Sequence, residues 1–243
     1  MQSKSRVTAI SDLHLFAGRS WADRIYEDIV HEADRSSLLV LNGDIFDFDW
    51  STVGPLDVTM ESASKWLSRL AGDCADRGCR IVYLLGNHDD CEAWAERCES
   101  LARIHPNLEW SPDYYRYGST LFTHGDLLLG PRARTERTLR TDVRVRHRHL
   151  GRLYSVASGL RIPRVLSLIY HSRRCARLLA RNVHRLDGSL RDGIRHLCVG
   201  HTHRPFSGVR LGDLTVHNTG STILGNRFAS LSFCGKGVHQ LND

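Results

Sequence analysis

The sequence predicts an α/β fold in which residues 1–243 form one domain. Three observations carry this reading. Short aliphatic or β-branched runs recur along the chain, each closed by a polar cluster, as buried strands are. Between them lie stretches with apolar residues at helical spacing, and that alternation marks an α/β architecture. From about residue 130 to residue 191 the alternation breaks into an arginine-rich segment, which reads as a helical insertion.

The elements follow in chain order. Val7–Ile10 is the first strand, and Trp21, Ile25, Ile29 and Val30 then mark a helix. Leu38–Leu41 is a strand, followed by helical spacing at Ala63, Trp66, Leu67 and Leu70. Ile81–Leu85 is a third strand, Cys91 to Leu101 a shorter helix, and Leu121–Phe122 a fourth strand. Inside the insertion a weak pattern predicts a helix over about Thr135–Ser158. Pro163 suits the first turn of another, in which Val165, Leu166, Ile169, Ala176, Leu179, Ala180, Val183 and Leu186 share one side. Arg174, Arg177, Arg181 and Arg185 form a stripe on a different side of that amphipathic helix. Leu197–Val199 resumes the strands, and Leu214–Val216, Ser230–Phe233 and Val238–Leu241 add more without helices between them, as antiparallel strands would.

Hydrophobic residues make up 41% of the chain, enough for a substantial core. Leu127–Arg195 holds 17 arginines against 4 acidic residues, a net of +13, so the remainder carries −7 of the overall +6. Such asymmetry predicts an anionic partner for that segment: a phosphorylated substrate, a membrane surface or nucleic acid. The plainer alternative is a solvated helical face. The seven cysteines form no C-x-x-C pair and read as reduced packing residues of a cytoplasmic protein. No apolar run approaches the roughly 18 residues of a membrane span, and no leader is expected.

Five strand-like runs are each followed at once by residues that bind metals. These are Ser11-Asp12-Leu13-His14, Gly43-Asp44, Gly86-Asn87-His88-Asp89, His124-Gly125-Asp126 and Gly200-His201-Thr202-His203. Ligands collect beyond the carboxyl ends of strands in open α/β sheets, so five sequence-distant motifs can meet in one cleft. Any one alone would read as a turn or cap. Carboxylate, imidazole and amide together suit Mn²⁺, with Fe²⁺ or Zn²⁺ as alternatives, rather than the oxygen-rich sites of Ca²⁺ or Mg²⁺. Two ions need a ligand that bridges them, and Asp44, directly after a strand, is placed to do so.

The set D-x-H, G-D-x-x-D, G-N-H-D, H-G-D and G-H-x-H resembles the calcineurin-like metallophosphoesterases from Val7 to about Thr222, apart from the insertion. The resemblance implies a two-sheet β-sandwich flanked by helices and a dinuclear metal centre. It places one metal on Asp12, His14 and His203 and the other on Asn87, His124 and His201, with Asp44 bridging both. It makes His88 the catalytic group that contacts the phosphate and protonates the leaving oxygen. Gly43–Phe48, Gly200–Pro205, Asn218–Ser221 and the insertion after His124 are similar to the branch of UDP-2,3-diacylglucosamine diphosphatases, in which a helical lid receives acyl chains. His88 stands where that branch carries arginine, and Leu127–Leu129 where it is more polar.

Beyond the motifs, Asp47, Asp89 and Asp126 are expected to orient metal-binding histidines, or else to serve the turns they sit in. Arg204 could grip a phosphate through its fork or pair with a surface carboxylate. His147, His149, His171 and His184 lie dispersed among arginines and receive no metal. The expected activity is dinuclear-metal-dependent hydrolysis of a phosphoester or pyrophosphate bond by a metal-bridging hydroxide, with a nucleotide-sugar lipid as substrate. The insertion is then a lid over the cleft, with peripheral membrane contact, or else a buttress whose apolar face only packs on the main domain. The alternatives are a nuclease or nucleotide phosphodiesterase of the same fold, with the arginines on a nucleic-acid backbone, and a non-catalytic metal-binding scaffold.

Overall fold

The computed structural model describes residues 6–18, 20, 22–129, 134–143, 172–222, 229–234 and 237–242. Among the described residues, eleven strands form two mixed sheets. The first holds β1 (Val7–Ile10), β2 (Leu38–Asn42), β3 (Arg80–Leu84), β4 (Leu108–Ser111), β10 (Ala229–Cys234) and β11 (Gly237–Asn242), in the order β11-β10-β1-β2-β3-β4. β1 to β4 run parallel, and β10 and β11 are antiparallel additions. The second sheet holds β5 (Tyr115–Tyr117), β6 (Thr120–Phe122), β7 (His196–Val199), β8 (Phe206–Leu211) and β9 (Leu214–Asn218), in the order β5-β6-β7-β9-β8. β6, β7 and β9 are parallel there, with an antiparallel strand at each edge.

Period-two alternation splits each inner strand between two apolar layers. In β2, Leu38 and Val40 face the other sheet, in the apolar layer that Phe122 and Cys198 share from that sheet, while Leu39 and Leu41 face helices. In β3, Val82 and Leu84 face inward, and Ile81 and Tyr83 outward. Both faces are buried, which is why these strands read as continuous aliphatic runs. The outward layer of the first sheet is covered by α1 (Tyr26–Asp34), α2 (Leu56–Asp76) and α3 (Glu92–Ile104). Met60, Ala63, Leu67, Leu70, Ala71 and Cys74 supply the buried face of α2, and Trp94, Ala95, Cys98 and Leu101 that of α3.

The other sheet is covered by α4 (Asp126–Leu129) and α5 (Ser172–Val183), with α6 (Gly188–Arg191) beyond. Here the structure alters two expectations. Residues 134–143 contain no helix, so the expected helix over Thr135–Ser158 is absent from its described part. These residues form an extended strap in which Arg140 bridges to Cys91. The apolar face of α5 is not open to a cleft: Ala176, Leu179 and Val183, with Leu186, pack against Leu127, Leu128, Leu197, Val199 and Val216. The described part of the insertion thus covers a sheet. The remainder of the lid reading falls on 130–133 and 144–171, outside the described residues, as do His147, His149 and His171.

The six cysteines whose side chains are described are free and buried, as packing residues should be. Among the described residues no helix is long and apolar enough to cross a membrane.

Candidate metal centre

All five motifs follow the carboxyl ends of parallel strands. β1, β2 and β3 deliver Asp12 and His14, Asp44, and Asn87 and His88 from one sheet. β6 and β7 deliver His124, and His201 and His203, from the other. Asp12, His14, Asp44 and His203 offer ligand atoms within 4.8 Å of one another, and so do Asp44, His124 and His201. Asp44 belongs to both groups. Its Oδ1 accepts the backbone N–H of His88 at 2.8 Å. Its Oδ2 lies 3.1 Å from His124 Nε2 and 3.7 Å from His14 Nε2, so one oxygen faces ligands of both groups.

The turns that hold these ligands are strained. Asp12, His14, Asp44, His201 and His203 have φ of 53°, 47°, 51°, 66° and 55°, in the left-handed region that costs a side-chain-bearing residue roughly 1–2 kcal/mol. Backbone bonds between loops hold them there: Asp12 N donates to the Gly43 carbonyl at 3.0 Å and His14 N to that of Asp44 at 3.0 Å. The N–H of His201 donates to Asp12, 3.1 Å from Oδ1 and 3.0 Å from Oδ2. Two glycines make the closeness possible. A Cβ at Gly86 would overlap Asp44, and one at Gly200 would overlap Asp12 and Ser11.

The tautomers follow from the partners. Burial opposes charge on Asp47, but hydrogen bonds from His14 and His88 hold its carboxyl well below the usual range. It is an acceptor, so Nδ1–H of His14 donates to it at 3.3 Å and Nδ1–H of His88 at 3.2 Å. The convergence of His14, Asp47 and His88 is therefore a hydrogen-bond relay. It fixes His14 with an Nε2 lone pair turned to the centre. His124 Nδ1–H donates to the Asn42 carbonyl at 3.2 Å, which turns its Nε2 toward the centre.

The centre calls for cations. His124 Nε2 is buried without a hydrogen bond, although a carboxylate oxygen lies 3.1 Å away. This nitrogen and the carboxylate need positive charge between them, a proton in the metal-free protein or a metal cation in its place. His14 Nε2 and His203 Nε2 are similarly 3.2 Å apart, with Asp12 Oδ1 3.2 Å from His203. The buried Oδ1 of Asn87, another expected ligand, has no partner either. Burial opposes charge on Asp12 and Asp44, yet His124 beside them holds both carboxyls below their ordinary range. Burial pushes His124 down, but Asp44 and Asp12 outweigh it and raise its pKa to about 10. Burial and His124 lower His201 to about 4. Burial lowers His88, but Asp44 and Asp47 raise it to about 9. These nitrogen and oxygen donors, with no thiolate, fit a pair of borderline divalent ions.

Three acidic residues expected beside histidines part company here. Asp47 contacts two. Asp89 contacts none by hydrogen bond: it accepts from Tyr83 Oη and Gly86 N, both at 2.6 Å, and from Ile45 N at 3.0 Å, tying the loop of Asn87 to the loop of Asp44. Asp126 forks with Arg137 instead, both oxygens at 2.8 Å. In each case a stronger or nearer donor takes the carboxylate. Arg204 is half-buried directly after His203.

Several supporting residues were given no role of their own in the sequence reading. Ser11 Oγ donates to Asp12 Oδ2 and meets Thr219 Oγ1. Ser221 and Thr222 hydroxyls donate to the carbonyls of Asp12 and Leu13 at 2.9 and 3.0 Å. Asn218 Nδ2 donates to the Gly200 carbonyl at 2.6 Å. Asn42 Nδ2 crosses between the sheets to the carbonyls of Thr123 and Cys198 at 3.0 and 3.3 Å. Its signal was legible, since an amide ends an otherwise aliphatic strand just before Gly43-Asp44.

A family model described as calcineurin-like phosphoesterase matches residues 5–205. No curated protein matches. Among solved structures, the protein TT1561 of Thermus thermophilus is 11% identical, with 98% of each chain covered and a TM-score of 0.48. A dimetal phosphatase from Danio rerio is 12% identical, with 96% of this chain and 93% of that one covered and a TM-score of 0.47.

Proposed function

The chain belongs to the calcineurin-like phosphoesterase family, whose members are dinuclear metal-dependent phosphoester hydrolases, and on that premise we propose that it hydrolyses a phosphoester or pyrophosphate bond in a nucleotide-sugar lipid. The observation that carries the hydrolytic reading is that Asp44 belongs to both ligand groups, with His14 of one and His124 of the other turned to its Oδ2. Asp12, His14 and His203 would hold one ion and Asn87, His124 and His201 the other, with Asp44 serving both. Mn²⁺ suits this donor set best, with Fe²⁺ and Zn²⁺ as alternatives. When bound, the two ions supply a nucleophilic water at neutral pH and compensate charge on the phosphoryl oxygens.

The chain's own residues do the rest. Asp47 pins Nδ1 of His88, which leaves Nε2, on a side chain 20% exposed, to hydrogen-bond a phosphoryl oxygen and protonate the leaving group. Replacing His88 with Asn should leave the metals in place and slow turnover about 10²–10⁴-fold for a poor leaving group. A leaving group that needs no proton should suffer less. Equal losses on both kinds of substrate would remove the acid role.

The lipid reading rests on the branch resemblance and on charge. Arg173, Arg174, Arg177 and Arg181 of α5, with Arg185 beyond it, are exposed and have no ion pair among the described residues. A basic face of this kind suits an anionic membrane surface. The Mn²⁺-loaded protein is to be assayed against a generic diester, a UDP-linked acylated sugar, nucleotides and single-stranded DNA. A detergent-dependent preference for the lipid supports the reading. DNA affinity falling steeply with salt would favour the nuclease instead. Tight metals with no turnover anywhere would leave a scaffold.

A further inference from the structure

Arg137 lies outside the five motifs, and its side chain is 2% exposed. A guanidinium at that depth is tolerated only with full pairing. Nη1 and Nη2 donate in parallel to the two oxygens of Asp126, and Nη1 also reaches Asp90 Oδ2 at 3.2 Å. Nη2 donates to the Leu85 carbonyl and Nε to the Pro112 carbonyl, both at 3.2 Å. The backbone N–H completes the anchorage on Asp113 Oδ1 at 2.9 Å.

These partners belong to both sheets. Asp126 stands two residues after His124, beyond β6. Leu85 and Asp90 bracket Asn87, beyond β3. Arg140, on the same strap, extends the tie by pairing with Asp90 and by donating from Nη1 to Asp49 Oδ1 at 2.8 Å, two residues past Asp47. Two arginines that the composition counts toward a basic surface are instead turned inward onto the loops of the centre.

We propose that Arg137 is a positioning residue for the metal held by Asn87, His124 and His201, clamping the Asn87 loop of one sheet to the His124 loop of the other. This rests on the two-metal reading above. Asn42 and the layer between the sheets hold β2 against the end of β6, and Arg137 adds the link from that end to the Asn87 loop beyond β3. A bidentate fork fixes both distance and orientation, whereas a lysine would keep the charge and lose the fork.

The test is calorimetric titration of Mn²⁺ into the metal-stripped chain. Asn87→Ala identifies which binding step belongs to that site. Arg137→Lys should weaken the same step about 10–100-fold, the usual cost of losing a group that orients ligands, and leave the other step unchanged. Should Arg137→Lys fail to fold, the charge-balanced pair Asp126→Asn with Arg137→Gln is expected to show the same selective loss. Arg116→Lys is the control for general loosening. It ties Gly118, Ser189 and Asp192 carbonyls near the hairpin end of β6, opposite the metal loops, and should change neither step. Unchanged affinities in the Arg137 variants, or equal weakening of both steps, would overturn the clamp while the metal centre stands. Fewer than two ions in the unaltered protein would overturn the centre itself.

Discussion

Asp44 carries the heaviest demand of any single side chain. One oxygen is committed to the His88 N–H and the other faces histidines of both groups. Replacing it with Asn should lower occupancy of both metals, because a neutral amide compensates two dications poorly. Metal analysis of the purified variant decides this: two ions per chain with unchanged activity would show that Asp44 is not the bridge. A second prediction concerns protons. Near pH 7 Asp12 and Asp44 are ionised, and His14 and His201, lowered by burial, are neutral. His124, raised to about 10, is the ligand that must give up a proton. Loading should therefore release about one proton from His124, and affinity at its site should rise roughly tenfold per pH unit while His124 is protonated in the free protein. Mn²⁺ binding heats measured in buffers of different ionisation enthalpy report that proton. Heats that do not vary with the buffer would mean that none is displaced.

At the scale of elements, α5 shows how one helix serves two solvents. Cys175, Ala176, Leu179, Asn182 and Val183 are buried, and the arginines are not. Leu179 is fully buried in the layer under the second sheet. Leu179→Ala should cost about 2–5 kcal/mol of stability, the range for a buried leucine left as a cavity. Arg177→Glu on the exposed face should change stability by no more than about 0.5 kcal/mol. Denaturant unfolding of the two variants side by side separates a covering helix from a detachable lid. Equal, small losses would mean that the apolar face does not anchor the helix. The periodicity from Val165 to Leu186 announced an amphipathic helix correctly over the described turns. What covers its apolar face could not be read from it, because helical spacing names a buried side without naming the partner. The strap of 134–143 was misread for a related reason: ion pairs to Asp90, Asp113 and Asp126, far apart in sequence, override a weak local pattern.

For the whole molecule the decisive feature is that ligands come from two sheets. Asn42 bolts these sheets together, its amide spanning from β2 to the carbonyls of Thr123 and Cys198. Asn42→Ala should cost about 1–3 kcal/mol, since it leaves a buried carbonyl without its donor. Urea unfolding measures the loss, and stability equal to that of the unaltered chain would deny the bolt. Charge also acts at this scale. The +13 segment is locally basic, but Arg137 and Arg140 spend their charge on the interior, so its outward field comes from fewer arginines than the composition counts.

The sequence by itself determined eight of the eleven described strands, missing β4, β5 and β8, together with the order of the five motifs and the residue types at the centre. These depend on local periodicity and on short spacings after strand ends, and both are written in adjacent residues. Only the tertiary structure decided how those residues divide. It gave Asp47 to two histidines, Asp89 to backbone N–H groups and the Tyr83 hydroxyl, and Asp126 to Arg137, and it turned Arg137 and Arg140 inward. The physical reason is that a carboxylate takes whichever donors the fold brings within about 3 Å. Those donors sit on loops up to dozens of residues away and are brought close by the packing of two sheets.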